Sequence, residues 1–150
     1  MVKINTQTKH ILRILSQDGR ITNLELASRV GLSPSACLRR VQELERSGVI
    51  TGYRAVLDPV AMGNSFIAYV GVGLSTHSKL AQQDFERSVA QVPEVRECHN
   101  LTGSIEYLLR IECADLAAYK IFHTDVLGTF AHIRSITSYV VMESSKDERA

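Results

Sequence analysis

Apolar residues recur at three- and four-residue intervals up to about residue 48, and afterwards at two-residue intervals broken by two further helical stretches. This change of period predicts two modules: a helical one over residues 1–52 and a strand-rich one over 65–143. Residues 53–64 form the linker and 144–150 a polar tail. The first helix is predicted over about Thr8 to Gln17, with Ile11, Leu12 and Leu15 as its apolar stripe and Asp18-Gly19 as its stop. A second opens at Thr22, whose hydroxyl and Glu25 three residues on make a capping box, and closes near Val30 at Gly31. The third takes Ser33 as its cap and Pro34 as its first residue, where a missing N–H costs nothing, and ends at Ser47-Gly48. Val49 to Tyr53 reads as a short strand that makes the module winged.

Phe66 to Leu74, FIAYVGVGL, predicts a strand apolar on both faces, with Phe66, Ala68, Val70, Val72 and Leu74 on one and Ile67, Tyr69 and glycines on the other. A helix follows over Lys79–Val92, with Leu80, Phe85 and Val89 inward, then strands over Val95–Leu101 and Glu106–Glu112 across the turn Thr102-Gly103-Ser104. A helix over Leu116–Phe130 and a strand over Ile133–Met142 complete the order β-α-β-β-α-β. The fold class is therefore α+β: a winged helix-turn-helix joined to a ferredoxin-like βαββαβ sandwich. Both helices of that unit cover one side of the sheet, which leaves the other for a partner subunit. A two-fold dimer made this way pairs two helical modules, matching a palindromic site on double-stranded DNA.

The third helix carries the chemistry for such a site. At 100° per residue, Cys37, Val41 and Leu44 share one side, while Ser35, Arg39, Gln42 and Arg46 share the opposite one. Serine and glutamine hydrogen-bond base edges and arginine forks onto guanine. The Ser33-Pro34-Ser35-Ala36 start offers backbone N–H groups to phosphate. Taken alone, this edge also fits the solvated side of an amphipathic helix; its occurrence with the capping box, the four-residue turn and a basic balance favours DNA. Arg40, on the flank near Glu43 and Glu45, reads either as a DNA contact or as a structural ion pair.

Charge sharpens the division. The 150 residues carry a net +1, but residues 1–60 hold nine Lys/Arg against five Asp/Glu and residues 61–150 hold eight against eleven, balances of +4 and −3. With 45% hydrophobic and 22% charged residues, the composition is that of a soluble globular protein. No apolar run reaches the roughly 18 residues of a membrane span, and MVKINTQTKH has no apolar signal region, so the expected location is the cytoplasm, with no membrane partner. Cys37, Cys98 and Cys113 are expected as reduced thiols. Adjacent Cys98 and His99 point to opposite faces of a strand, and His123 and His132 lie elsewhere. No metal, no other cofactor and no enzymatic activity are therefore expected.

On three stretches the sequence resembles the Lrp/AsnC family, the leucine-responsive and asparagine-related, or feast/famine, regulators. They are DGRITNLELASRVGLSPSACLRRVQELERSGVITGY at 18–53, ECHNLTGSIEYLLRI at 97–111 and SYVVME at 138–143. The resemblance implies a winged helix-turn-helix, a tether, and a ligand-sensing domain that forms dimers and then larger rings, commonly octamers. It also implies an amino-acid effector between dimers, beside a loop whose usual form is Gly-Asp-x-Asp-Tyr. Here that loop reads Gly103-Ser104-Ile105-Glu106-Tyr107, and Asn5 and Thr8 stand where the family often has aspartates.

A free amino acid is a zwitterion, so its pocket needs an acceptor for the ammonium, donors for the carboxylate and an apolar recess. Glu106 suits the first role, backbone N–H groups of Thr102-Gly103-Ser104 or the hydroxyls of Thr137 and Ser138 the second, and Tyr139, Val140 and Leu108 the third; a leucine- or methionine-like effector is favoured. Each also has a plain structural role: a turn at Gly103, a solvated Glu106, a core Tyr139. The function expected is an amino-acid-responsive transcriptional regulator. The alternatives are an architectural DNA binder without a ligand and a module that docks onto a metabolic enzyme.

Overall fold

The computed structural model describes residues 4–147, which form two compact units divided between Ala55 and Val56. In the first, helix α1 spans Thr6–Gln17, opening two residues earlier than predicted. Asn5 is the reason: its Oδ1 accepts from the Thr8 N–H at 2.8 Å and from the Thr8 hydroxyl at 2.9 Å, so the residue that departs from the family pattern is itself an effective cap. Helix α2 covers Asn23–Val30 and α3 Pro34–Arg46. The Glu25 N–H donates to the Thr22 hydroxyl at 3.2 Å, but the Glu25 carboxylate pairs with Arg29 one turn on, so only half of the predicted capping box forms. Gly31, at φ 67°, lets Leu32 N–H reach back to Ala27 O at 2.9 Å and closes α2.

Ile11, Ile14, Leu26, Ala27, Val30, Cys37 and Leu44 form the core of this unit. The predicted strand at 49–53 does not form. After Gly48, at φ 74°, the N–H groups of Val49 and Ile50 both return to Leu44 O, at 3.0 and 3.1 Å, and Tyr53 donates its hydroxyl to Glu45 at 2.9 Å. Burial and this bond to a carboxylate push the Tyr53 phenol above its ordinary pKa. A lone extended segment has no partner for its N–H and C=O groups, and no second strand exists among the described residues of this unit.

The second unit runs β1 (Phe66–Leu74), α4 (Lys79–Val89), β2 (Val95–Asn100), β3 (Tyr107–Cys113), α5 (Leu116–Ile121) and β4 (Ile133–Val140). The strands form one antiparallel sheet in the order β2-β3-β1-β4, the ferredoxin-like arrangement. Ala68, Val70, Val72 and Leu74 of β1 are buried with Tyr107, Leu109 and Ile111 of β3, and Phe85 of α4 packs against Tyr107 with ring centroids 4.6 Å apart. Leu80 is exposed, against expectation; the inward stripe of α4 is Ala81, Phe85 and Val89, a strict four-residue spacing with the small residue where the helix starts.

The helix predicted over 116–130 breaks after Ile121 into a π-helical turn, Phe122–Val126, and a short 3-10 turn, Leu127–Thr129. Phe122 and Leu127, five residues apart, are both buried. In an α-helix they would diverge by about 140°, and the wider turn returns both to the core. On the opposite face of the sheet, alternation brings Gly71 and Gly73 of β1 level with Thr137 and Ser135 of β4. No helix among the described residues is long and apolar enough to cross a membrane.

Candidate nucleic-acid interface and ligand loop

Ser33 caps α3 by accepting from the Ala36 N–H at 3.3 Å, and Asn23 fastens the turn by donating from Nδ2 to Pro34 O at 2.9 Å. Ser35, Arg39, Gln42 and Arg46 stand exposed along one edge, opposite buried Cys37 and Leu44. The start of the helix has fewer outward donors than expected: Pro34 has no N–H and Ala36 gives its own to Ser33, which leaves Ser35 to meet an anion.

Arg40 does not form the local ion pair. Half-buried, it directs Nη1 to Asn5 Oδ1 at 3.4 Å and to Thr8 Oγ1 at 3.5 Å, so it ties α3 to the cap of α1 rather than pairing with Glu43 or Glu45. Nothing local in the sequence signals this contact between residues more than thirty positions apart. Replacing Arg40 with alanine is expected to lower the stability of this unit by about 0.5–1.5 kcal/mol, since the bonds are long and their acceptors neutral. A thermal melt of the full chain, followed by helical circular dichroism, checks it.

In the loop after β2, Thr102, Gly103 and Ser104 are exposed, as a contact surface requires, with Gly103 at φ 140°. Glu106 is not solvated. It is 8% exposed, its Oε2 accepts from the Leu74 N–H at 2.7 Å, and its Oε1 lies 3.0 Å from Nδ1 of His77. Its backbone is engaged as well, donating to Val72 O at 3.0 Å and accepting from Leu101 N–H at 2.8 Å. The carboxylate thus closes the end of the sheet, and an exposed histidine covers its outer oxygen.

The remaining predicted ligand residues do not gather at this loop within one subunit. Tyr107 faces the helices, where it donates its hydroxyl to Glu86 at 2.7 Å; burial, and then that bond, push its pKa up to about 12. Thr137 and Tyr139 lie on the face away from the helices, opposite Gly71 and Tyr69. Ser138 and Val140 lie on the helix side, opposite Val70 and Ala68, and the Ser138 hydroxyl meets that of Tyr119. Tyr139 stands four residues along β4 from Ser135, roughly 13 Å at strand spacing.

Arg134 and Ser135, which no local pattern marks, come with Glu106 to the same glycine of β1. A Cβ on Gly73 would sit 2.4 Å from Ser135 Oγ and 3.6 Å from both Arg134 Nη2 and Glu106 Oε2. These three side chains therefore surround a spot where only a glycine hydrogen fits. Gly73→Ala is expected to cost about 1–3 kcal/mol by overpacking, with Ser135 forced to another rotamer, and a urea midpoint shift at unchanged slope checks it.

A capped helix-turn-helix with a polar, basic edge, joined to an α+β unit with a surface loop at the end of its sheet, defines a two-domain DNA-binding regulator. Family models agree on both units. Residues 4–51 match a winged helix-turn-helix DNA-binding domain and 67–150 the Lrp/AsnC ligand-binding domain. The chain belongs to the Lrp/AsnC family and is a DNA-binding transcriptional regulator; its relatives are regulators rather than enzymes. It is 38% identical over 138 residues to the leucine-responsive regulatory protein of Escherichia coli, covering 92% of this chain and 84% of the relative. Among solved structures, it superimposes with a TM-score of 0.92 on a Neisseria meningitidis transcriptional regulator in complex with L-methionine, at 36% identity, covering 97% of this chain and 94% of that one. The feast or famine regulatory protein of M. tuberculosis, also complexed with L-methionine, gives 0.85 at 29% identity over 99% and 98% of the chains.

Proposed function

We propose that this regulator reads a palindromic operator with α3 and responds to an apolar amino acid, of the leucine or methionine kind, bound between dimers. The observation that carries the DNA reading is the single exposed edge formed by Ser35, Arg39, Gln42 and Arg46, with the opposite side of α3 anchored in the core. Arg39 forks onto a guanine and Gln42 onto an adenine, while the helix start and Arg46 hold the phosphate backbone. Two subunits pair through the sheet faces that no helix covers, where Tyr139 stands in solvent, and the dimers assemble further, as octamers.

For the effector, two supports converge: both solved relatives described above hold L-methionine, and Glu106 and Arg134 flank Gly73 with opposite charges. The ammonium goes to the Glu106 carboxylate, displacing His77, and the carboxylate to Arg134 and the exposed backbone of Thr102-Gly103-Ser104. A neighbouring dimer supplies the apolar recess. Isothermal titration with L-methionine and L-leucine, paired with sedimentation of the full chain, tests this reading: heat of binding coupled to a change in oligomer mass supports it, and no heat with either ligand sinks it.

Arg39→Ala is expected to weaken binding to a duplex selected from a random pool by about 5- to 150-fold and to relax the preference at one base pair per half-site. Gel-shift titration reads both effects, and unchanged affinity and preference remove Arg39 from the contact set.

A further inference from the structure

Leu38 is the one large apolar side chain on the DNA side of α3. It is 47% exposed and lies outside the core that holds Cys37 and Leu44. By helix geometry it stands about 40° from Gln42 and 60° from Ser35, one turn beyond Pro34, so it adjoins the reading edge on its Pro34 flank. An α-helix in the major groove contacts bases through its N-terminal turns, which is where the fifth residue of α3 sits. A leucine there offers no hydrogen bond, and the one apolar group on a base edge in the major groove is the C5 methyl of thymine.

We propose that Leu38 is a specificity-determining residue that packs against the C5 methyl of a thymine in each half-site. Gln42, one turn on, takes an adenine in the same reading frame through N6 and N7, so the pair selects an A·T step where Arg39 selects a G·C pair. The role assigned to Leu38 rests on the α3 edge being the reading surface. Its exposure then has a use: the side chain leaves water on binding, and a thymine fills the contact where cytosine, without the methyl, leaves a gap.

The test is a cycle between protein and DNA. Wild-type full-length protein enriches a duplex from a random pool, and each recurrent thymine is then replaced by deoxyuridine, which removes the methyl and keeps the pairing. One position per half-site is expected to weaken wild-type binding about fourfold, the effect of one buried methyl group. In Leu38→Ala the same replacement is expected to change nothing, while replacements at other thymines act equally on both proteins. Circular dichroism of Leu38→Ala is expected to match the wild type, since the side chain is half exposed and lies outside the core cluster. If no uracil position separates the two proteins, the Leu38 contact is overturned and the α3 reading stands. If the wild-type protein enriches no sequence, the α3 reading falls and the Leu38 contact with it.

Discussion

Replacing Glu106 with alanine is expected to destabilise the sheet unit by about 1–3 kcal/mol, because it leaves the Leu74 N–H without an acceptor at a site closed to water. Leu74 is 1% exposed and its N–H has the Glu106 carboxylate at 2.7 Å. The His77 pair adds little, since a side chain so exposed gains almost nothing from an ion pair in water. Glu106→Gln separates the structural role from the proposed ligand role. Glutamine keeps an oxygen for the Leu74 N–H and loses the negative charge that would meet an α-ammonium. Calorimetric melting is therefore expected to order the proteins as wild type, then Gln, then Ala, with about 4–8 °C per kcal/mol for a unit of this size. Titration with L-methionine is expected to fail for both variants. If Ala melts with the wild type, the carboxylate does not close the sheet; if Gln binds L-methionine like the wild type, the ammonium goes elsewhere.

The helical unit was legible because its signals are local. Thr22 and Ser33 cap within three residues, Pro34 fixes a first turn, and Gly31 ends a helix by taking φ 67°, so each boundary is written beside itself in the sequence. Where a contact spans the chain, the signal fades. Arg40 has Glu43 one turn away, the usual mark of a surface pair, yet its hydrogen bonds go to Asn5 and Thr8. The same holds for helix register: Leu80 outranks Ala81 in hydrophobicity, but the four-residue spacing to Phe85 and Val89 selects Ala81.

The ligand loop shows the limit most sharply. Its chemistry makes Glu106 a candidate acceptor, and its motif position puts it at the loop after β2. Whether its carboxylate faces water or the sheet depends on the register between β1 and β3 and on two glycines in β1, none of it encoded near residue 106. Arg134 and Ser135 come to Gly73 through the pairing of β1 with β4, sixty positions apart. Tyr107 is a ligand candidate through its place in the loop motif, and Ser138 through its hydroxyl. The period-two alternation of a strand sends both side chains to the helix-covered face.

The largest effect expected of this protein is on DNA affinity in salt. A net charge of +1 gives the chain as a whole almost no attraction for a polyanion, so affinity must come from the +4 balance of residues 1–60. Part of that charge is already engaged: Arg29 is paired with Glu25, and Arg40 is held at the cap of α1. With about three phosphate contacts from each module of the proposed dimer, about six counterions would be released, and log K should fall against log salt with a slope near −5. Between 50 and 200 mM salt this is a loss of about a thousandfold. Fluorescence anisotropy of a selected duplex at several KCl concentrations measures the slope directly. Arg46→Ala should reduce it by about 2, one contact per subunit, without changing which sequence is preferred, whereas Arg39→Ala should alter the preference. A slope shallower than about −3 in the wild type would mean that only one module engages the duplex, and pairing of subunits across the sheet would then not be what brings two α3 edges to one operator.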